Sequence, residues 1–148
     1  MASKFYEKIL IATDGSEYTK NAVDYGIDIA KNTGAKLFAI YVVDTAAFAS
    51  IPMDAAWESM YELLKQEGDL AIKYVSERAE AEGLEVEGNL IEGHPADEII
   101  RYSEKNSISV IVMGTLGKSG LDRFLLGSVA EKVVRNSKIP VLVVRGKK

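Results

Sequence analysis

The sequence predicts an α/β fold, a single doubly wound five-stranded parallel sheet with helices on both faces. Three observations predict it. Short apolar runs alternate with segments of helical period along the chain. Two of those runs, Val110-Ile111-Val112-Met113 and Val141-Leu142-Val143-Val144, are apolar at every position, as in strands covered on both sides. No internal repeat or linker breaks the alternation, so residues 1–148 read as one domain, long enough to bury a real core.

Taken in order, residues 8–13 form a buried strand that ends at Asp14-Gly15. Residues 16–32 form a helix, with Ala22, Val23, Gly26, Ile27 and Ala30 as its buried stripe, Ser16 as N-cap and Gly34 as stop. Residues 36–44 are the second strand. The apolar, proline-broken stretch 45–57, with Phe48, Ile51, Met53 and Trp57, reads as an irregular loop leading into a helix, with three roles open: local packing onto the sheet, cover for a ligand, or a contact between copies. Residues 55–83 form one long helix weakened at Gly68, and 85–93 a strand of alternating type suited to an edge. Pro95 suits the first turn of the next helix, with Asp97 and Glu98 behind it, and that helix runs to about Asn106. Residues 108–114 are the clearest strand. A helix over 128–138 buries Val129, Ala130, Val133 and Val134, and 139–145 form the last strand.

Composition excludes several function classes. There is no cysteine, which removes disulfides, thiol catalysis and cysteine-based metal sites. His94 is the single histidine, so a histidine-rich zinc site is excluded as well. A net charge of −4 argues against a broad nucleic-acid surface but leaves room for a local anion pocket. No run approaches the roughly 18 apolar residues that a membrane helix needs. Together with a first apolar run that reads as a strand, not a signal-peptide core, this leads to the expectation of a cytoplasmic protein.

The stretch that calls for chemistry is residues 113–128, which holds four glycines, a lysine and an arginine. Its Gly117-Lys118-Ser119 mimics the end of a Walker A loop, but the glycine required five positions earlier is Val112. In a doubly wound sheet, ligands bind beyond the carboxyl ends of the strands, where the chain order reverses. The first strand runs out there into Thr13-Asp14-Gly15-Ser16, and the fourth into Gly114-Thr115-Leu116-Gly117. Glycines let the backbone approach a phosphate, and the Gly127-Ser128 helix start offers free N–H groups and partial positive charge. Lys118 and Arg123 add cations. The same residues also fit a purely structural reading, in which Ser128 and Glu131 form a capping box and Gly127 is a turn residue. Chemistry alone leaves both readings open.

Here the sequence resembles the universal stress proteins. The ATP-binding branch of that family carries G, two residues, G, nine residues, G and then Ser or Thr. Gly114, Gly117 and Gly127-Ser128 stand at that spacing. Four flanking segments, residues 8–30, 41–44, 92–100 and 139–145, resemble the family as well. The resemblance implies a Rossmann-like sheet ordered 3-2-1-4-5 and ATP as ligand, with Mg²⁺ or Mn²⁺ bridging the phosphates. It implies Ala12, Thr13 and Asp14 beside the base, ribose or metal, and the Val42 backbone as receptor of the adenine edge. Met113, Gly114, Thr115 and Gly117 would let the loop reach the ribose and phosphates. Lys118, Ser119 and Gly120 would line the phosphate path, and Gly127, Ser128, Val129 and Ala130 would present a helix terminus to the phosphates. For Asp14 the bland alternative is a turn residue before Gly15; for Val42 it is ordinary sheet core. His94 is expected to be a loop residue entering a helix.

The resemblance further implies a homodimer through Val141, Leu142, Val143 and Val144. The resemblance implies a nucleotide-dependent stress-response regulator, and since no residue has the makings of a committed general base, ATP hydrolysis is expected to be slow or partner-dependent at most. The alternatives are a nucleotide-free dimeric interaction module and an adenine-nucleotide-using enzyme. The turn after the first strand, Thr13-Asp14-Gly15-Ser16, lacks the phosphate loops that nucleotidyl transferases and ATP pyrophosphatases carry there.

Overall fold

A computed structural model describes residues 3–50, 52, 54–115 and 126–146. Among the described residues, five strands and four α-helices follow one another: β1 (Lys8–Ala12), α1 (Lys20–Thr33), β2 (Lys36–Val43), α2 (Ala55–Glu80), β3 (Val86–Glu92), α3 (Pro95–Lys105), β4 (Val110–Gly114), α4 (Ser128–Asn136) and β5 (Val141–Val144). The strands form one sheet in the order β3-β2-β1-β4-β5, with every neighbouring pair parallel.

Alternation along each strand divides the core between the two faces. Ile9 and Ile11 of β1 pack with Val110 and Val112 of β4 beneath α1 and α2, where Val23, Ile27, Val75 and Ala79 meet them. Leu10 and Ala12 face the other way, with Phe38, Ile40, Ile111 and Met113, beneath Ile99 of α3 and Val133 of α4. Burying each large side chain of this kind contributes about 1.5–3 kcal/mol. The central strands therefore need apolar residues at every position, which is why β1 and β4 read so clearly in the sequence.

Several local expectations are corrected. The first helix opens with a 3-10 turn, Glu17–Thr19; Ser16 occupies its N-cap as expected, but its side chain makes no capping bond. Gly34 does end α1, in the left-handed region at φ 74°. Gly68 does not interrupt α2. It lies buried inside a continuous helix, where a Cβ would stand 2.6 Å from Leu90 Cδ2 and 2.8 Å from Tyr41 Cδ1. Its missing side chain is what lets α2 settle onto β2 and β3. Val134 is 47% exposed, because the buried stripe of α4 runs through Ala130 and Val133 and leaves Val134 on the outer flank.

Within 45–57, Thr45–Phe48 form a 3-10 turn capped by Asp44, and Phe48 is buried with its ring 5.3 Å from that of Trp57. Trp57 in turn stacks on Tyr61 of α2. Local packing therefore accounts for this segment's aromatic residues; Ile51 and Met53 lie outside the described residues.

Candidate functional site

The sheet order creates a crevice. From β1 the chain leaves toward β2 on one side, while β4 enters on the other, so the turns after β1 and β4 diverge above the sheet's carboxyl edge. A cavity of about 280 Å³ opens there.

Its floor is apolar and comes from strand ends and α3: Ala12, Ile40, Met113 and Ile99. One wall is polar, built from Thr13, Asp14 and Thr19. The Thr13 and Thr19 hydroxyls lie 3.3 Å apart, and Thr13 Oγ1 also accepts the Gly15 N–H at 3.1 Å. Asp14 Oδ1 accepts the Ser16 N–H at 2.9 Å, and Gly15 takes φ 78°, which glycine adopts freely. Asp14 thus performs the turn role and still lines the cavity.

The opposite wall is the start of α4. Gly127, not Ser128, occupies the N-cap, and no side chain caps the helix. The capping box is therefore not formed: Glu131 pairs with Arg135 one turn later, and Ser128 is left as the first helical residue. The first intrahelical bond on this end runs from the Glu131 N–H to the Gly127 carbonyl, at 2.9 Å. The N–H groups of Ser128, Val129 and Ala130 have no partner within the helix, and all three residues line the cavity. The Gly127 N–H donates to the Thr115 carbonyl at 2.7 Å, and the Thr115 N–H to the Val144 carbonyl at 3.1 Å. These bonds pin both ends of the glycine loop to the sheet edge.

β2 contributes a third feature. The last bond between the β1 and β2 chains runs from the Thr13 N–H to the Ile40 carbonyl, at 3.0 Å, before β1 turns away at Gly15. Backbone groups in a strand face alternate sides, and Val43 bonds toward Gly93 on the β3 side. Val42 accordingly directs its N–H and C=O into the gap that β1 has vacated, a donor and an acceptor side by side. Its side chain joins the core on the α3 and α4 face.

Ala12, Thr13, Asp14, Val42, Met113, Gly114, Thr115, Gly127, Ser128, Val129 and Ala130 are thus brought together around one cavity. Gly117, Lys118, Ser119 and Gly120 lie outside the described residues, as does Arg123. His94 precedes Pro95 at the start of α3 and is not among the lining residues. Sequence reasoning missed Thr19, Ile40, Tyr41, Asp44, Leu64, Pro95 and Ile99. Asp44 alone had a legible signal, as the polar residue that ends an apolar strand. The cavity's two helix-bearing walls are tied by Lys132 of α4 and Asp97 of α3, 3.0 Å apart. The hydrogen bond from Lys132 holds the Asp97 carboxyl below its usual range.

The sequence pattern that describes the universal stress protein family matches residues 5–145. The chain belongs to that family. It is 49% identical over 140 residues to the universal stress protein MJ0531 of Methanocaldococcus jannaschii, covering 95% of this chain and 82% of that one. Among solved structures it is similar to protein MJ0577 of the same archaeon, with a TM-score of 0.84, 29% identity and coverage of 97% and 99%. It is also similar to a universal stress protein solved in complex with cAMP, with a TM-score of 0.71, 26% identity and coverage of 97% and 100%. Strand order and helix placement are those of a Rossmann-like universal stress protein fold. Among the described residues, no helix is long and apolar enough to cross a membrane.

Proposed function

We propose that this chain is an ATP-binding universal stress protein, one nucleotide-holding domain acting as a nucleotide-dependent regulator. The observation that carries the reading is the uncapped start of α4 facing an apolar crevice. Three amides with no partner among the described residues and the positive end of a helix suit phosphates, while Ile40, Met113 and Ala12 offer an apolar bed for a base. The Val42 backbone matches the donor and acceptor pair on the edge of adenine. Asp14, on the polar wall, is the carboxylate that would take a ribose hydroxyl or hold Mg²⁺ or Mn²⁺. Among the described residues there is no cluster of three or more metal-ligating side chains. A cation here would be held mainly by phosphate oxygens and water, with one carboxylate from the protein. The cAMP complex of a relative supports an adenine ligand.

Catalysis is expected to be weak. The described lining offers Asp14 and Asp44 but no histidine or lysine, so hydrolysis would depend on positioning and the metal. A homodimer through β5 is part of the proposal. The β3 edge carries Glu87 and Glu92, which blunt it, whereas Val141–Val144 present an uncharged edge. Pairing that edge across a two-fold axis satisfies its backbone groups.

The test is mass spectrometry of small molecules released from freshly purified protein, with calorimetry against ATP, ADP, AMP and cAMP. Released ATP or ADP, and micromolar to millimolar affinity for ATP, are expected. Release of cAMP with preferential cAMP binding would redirect the reading to a cyclic nucleotide. Absence of any adenine ligand and of any binding would overturn it.

A further inference from the structure

One carboxylate of the cavity has no role in the proposed site. Asp44 lines it at the carboxyl end of β2. Alternation places residues 42 and 44 toward the same face, and Val43 toward the other, where it is buried with Tyr41 and Ala71. Asp44 is also held in place. Its Oδ1 accepts the Ala47 N–H at 3.0 Å as cap of the Thr45–Phe48 turn, and that turn is anchored by Phe48, which is 2% exposed. The two oxygens of a carboxylate offer about four acceptor sites, and the Ala47 bond is the one that Asp44 makes among the described residues, so most of its capacity is available.

The position of Asp44 fits the base end of the cavity and not the phosphate end. β2 and β4 are separated by β1, so Asp44 and the approach to α4 stand about 10 Å apart across the sheet. A carboxylate beside the phosphates would repel them; beside the base it acts as a pure acceptor.

Resting on the adenine-nucleotide reading, we infer that Asp44 selects purines that carry a 6-amino group. With the base edge on the Val42 backbone, the Val42 carbonyl takes one amino N–H. The second points along the strand toward Asp44, whose Cα lies about 6–7 Å further on, within reach of an aspartate side chain. A 6-oxo purine already mismatches the Val42 pair, with N1–H against N–H and oxygen against carbonyl, and the carboxylate adds a further lone-pair contact at that oxygen.

The test is calorimetry of wild type, Asp44→Asn and Asp44→Ala with three probes: ATP, ITP and purine riboside triphosphate, which has hydrogen at position 6. Asp44→Asn keeps an oxygen to cap Ala47, so it separates recognition from turn structure. Hydrogen bonds to charged groups lead to an expected loss of about tenfold or more in ATP affinity for Asp44→Ala, with the 6-hydrogen analogue unchanged. Asp44→Asn should lose ATP affinity, while ITP stays a weak ligand, because its N1–H and 6-oxo group still mismatch the Val42 N–H and carbonyl. Equal losses for ATP and the 6-hydrogen analogue would overturn the inference and leave Asp44 as a turn cap only. Wild-type protein that binds none of the three probes would instead overturn the nucleotide reading beneath it.

Discussion

Replacing Gly68 by alanine sets two effects of known size against each other. In an exposed helix interior, Gly→Ala stabilises by about 1 kcal/mol, through restricted backbone freedom. Here the new Cβ would stand 2.6 Å from Leu90 Cδ2, and 2.8 Å and 3.2 Å from two Tyr41 ring carbons. Leu90 is half-buried on the edge strand, so its methyl can turn aside. Tyr41 is 2% exposed and hydrogen-bonded to Glu67 at 3.5 Å, and its ring has little room to yield. Overpacking of this kind costs about 1–3 kcal/mol. The net expectation is destabilisation by about 1 kcal/mol, which lowers the Tm by roughly 3 °C in a protein of this size. Urea denaturation reads the stability directly. Adding Leu90→Ala should reduce the cost of Gly68→Ala, because one of the two crowded neighbours is gone. Displacement of Tyr41, next to Val42, should also weaken nucleotide binding. A Gly68→Ala protein more stable than wild type by about the full helix-propensity gain would refute the packing argument and restore glycine as a local weakness.

Further outcomes are expected. Gly127→Val adds bulk at the cavity wall; its φ of −62° and ψ of 156° suit valine, so ATP affinity should fall at least tenfold or so while the loss of stability stays near 1 kcal/mol, the cost of a poorer N-cap. Retained affinity by calorimetry would contradict the assignment of that wall. Phe48→Ala should cost about 3 kcal/mol in denaturant titrations, since the ring is buried against Trp57; a near-neutral change would mean the 45–57 segment is not anchored there. Asp97 has a depressed folded pKa, so its contribution is present above about pH 4 and is lost as pH falls through the lower folded value. Lys132→Met should therefore flatten the acid limb of a Tm-versus-pH series, and an unchanged limb would show that the pair does not stabilise. Val143→Glu should shift sedimentation from dimer to monomer; an unaltered dimer would place the interface elsewhere.

Much of the architecture was legible in the sequence, because both faces of β1, β2 and β4 are covered and demand unbroken apolar runs. Strand order was not written in those runs; it came from resemblance to the family, and the register of β1 with both β2 and β4 bears it out. Local chemistry was legible only in part. The Asp14-Gly15 turn and Pro95 behave as their types suggest. Gly68 and Ser128 do not, because a glycine facing a packed strand and a serine beside a glycine N-cap are governed by tertiary contacts and by one residue of register. Thr19 reaches the cavity through a turn whose geometry a sequence pattern does not record. The same holds for Leu64, which arrives from α2 only because that helix lies close against β2.

The proposed adenine-nucleotide site is tested most directly by titrating ¹⁵N-labelled protein with ATP and Mg²⁺ and following backbone amide resonances. Saturable shifts should be largest at Thr13, Val42, Thr115 and the Ser128-Val129-Ala130 helix start, all of which line the cavity. Shifts that are absent at millimolar ATP, or that gather instead at the groove between α1 and α2 around Asp24, Lys31 and Arg78, would contradict it.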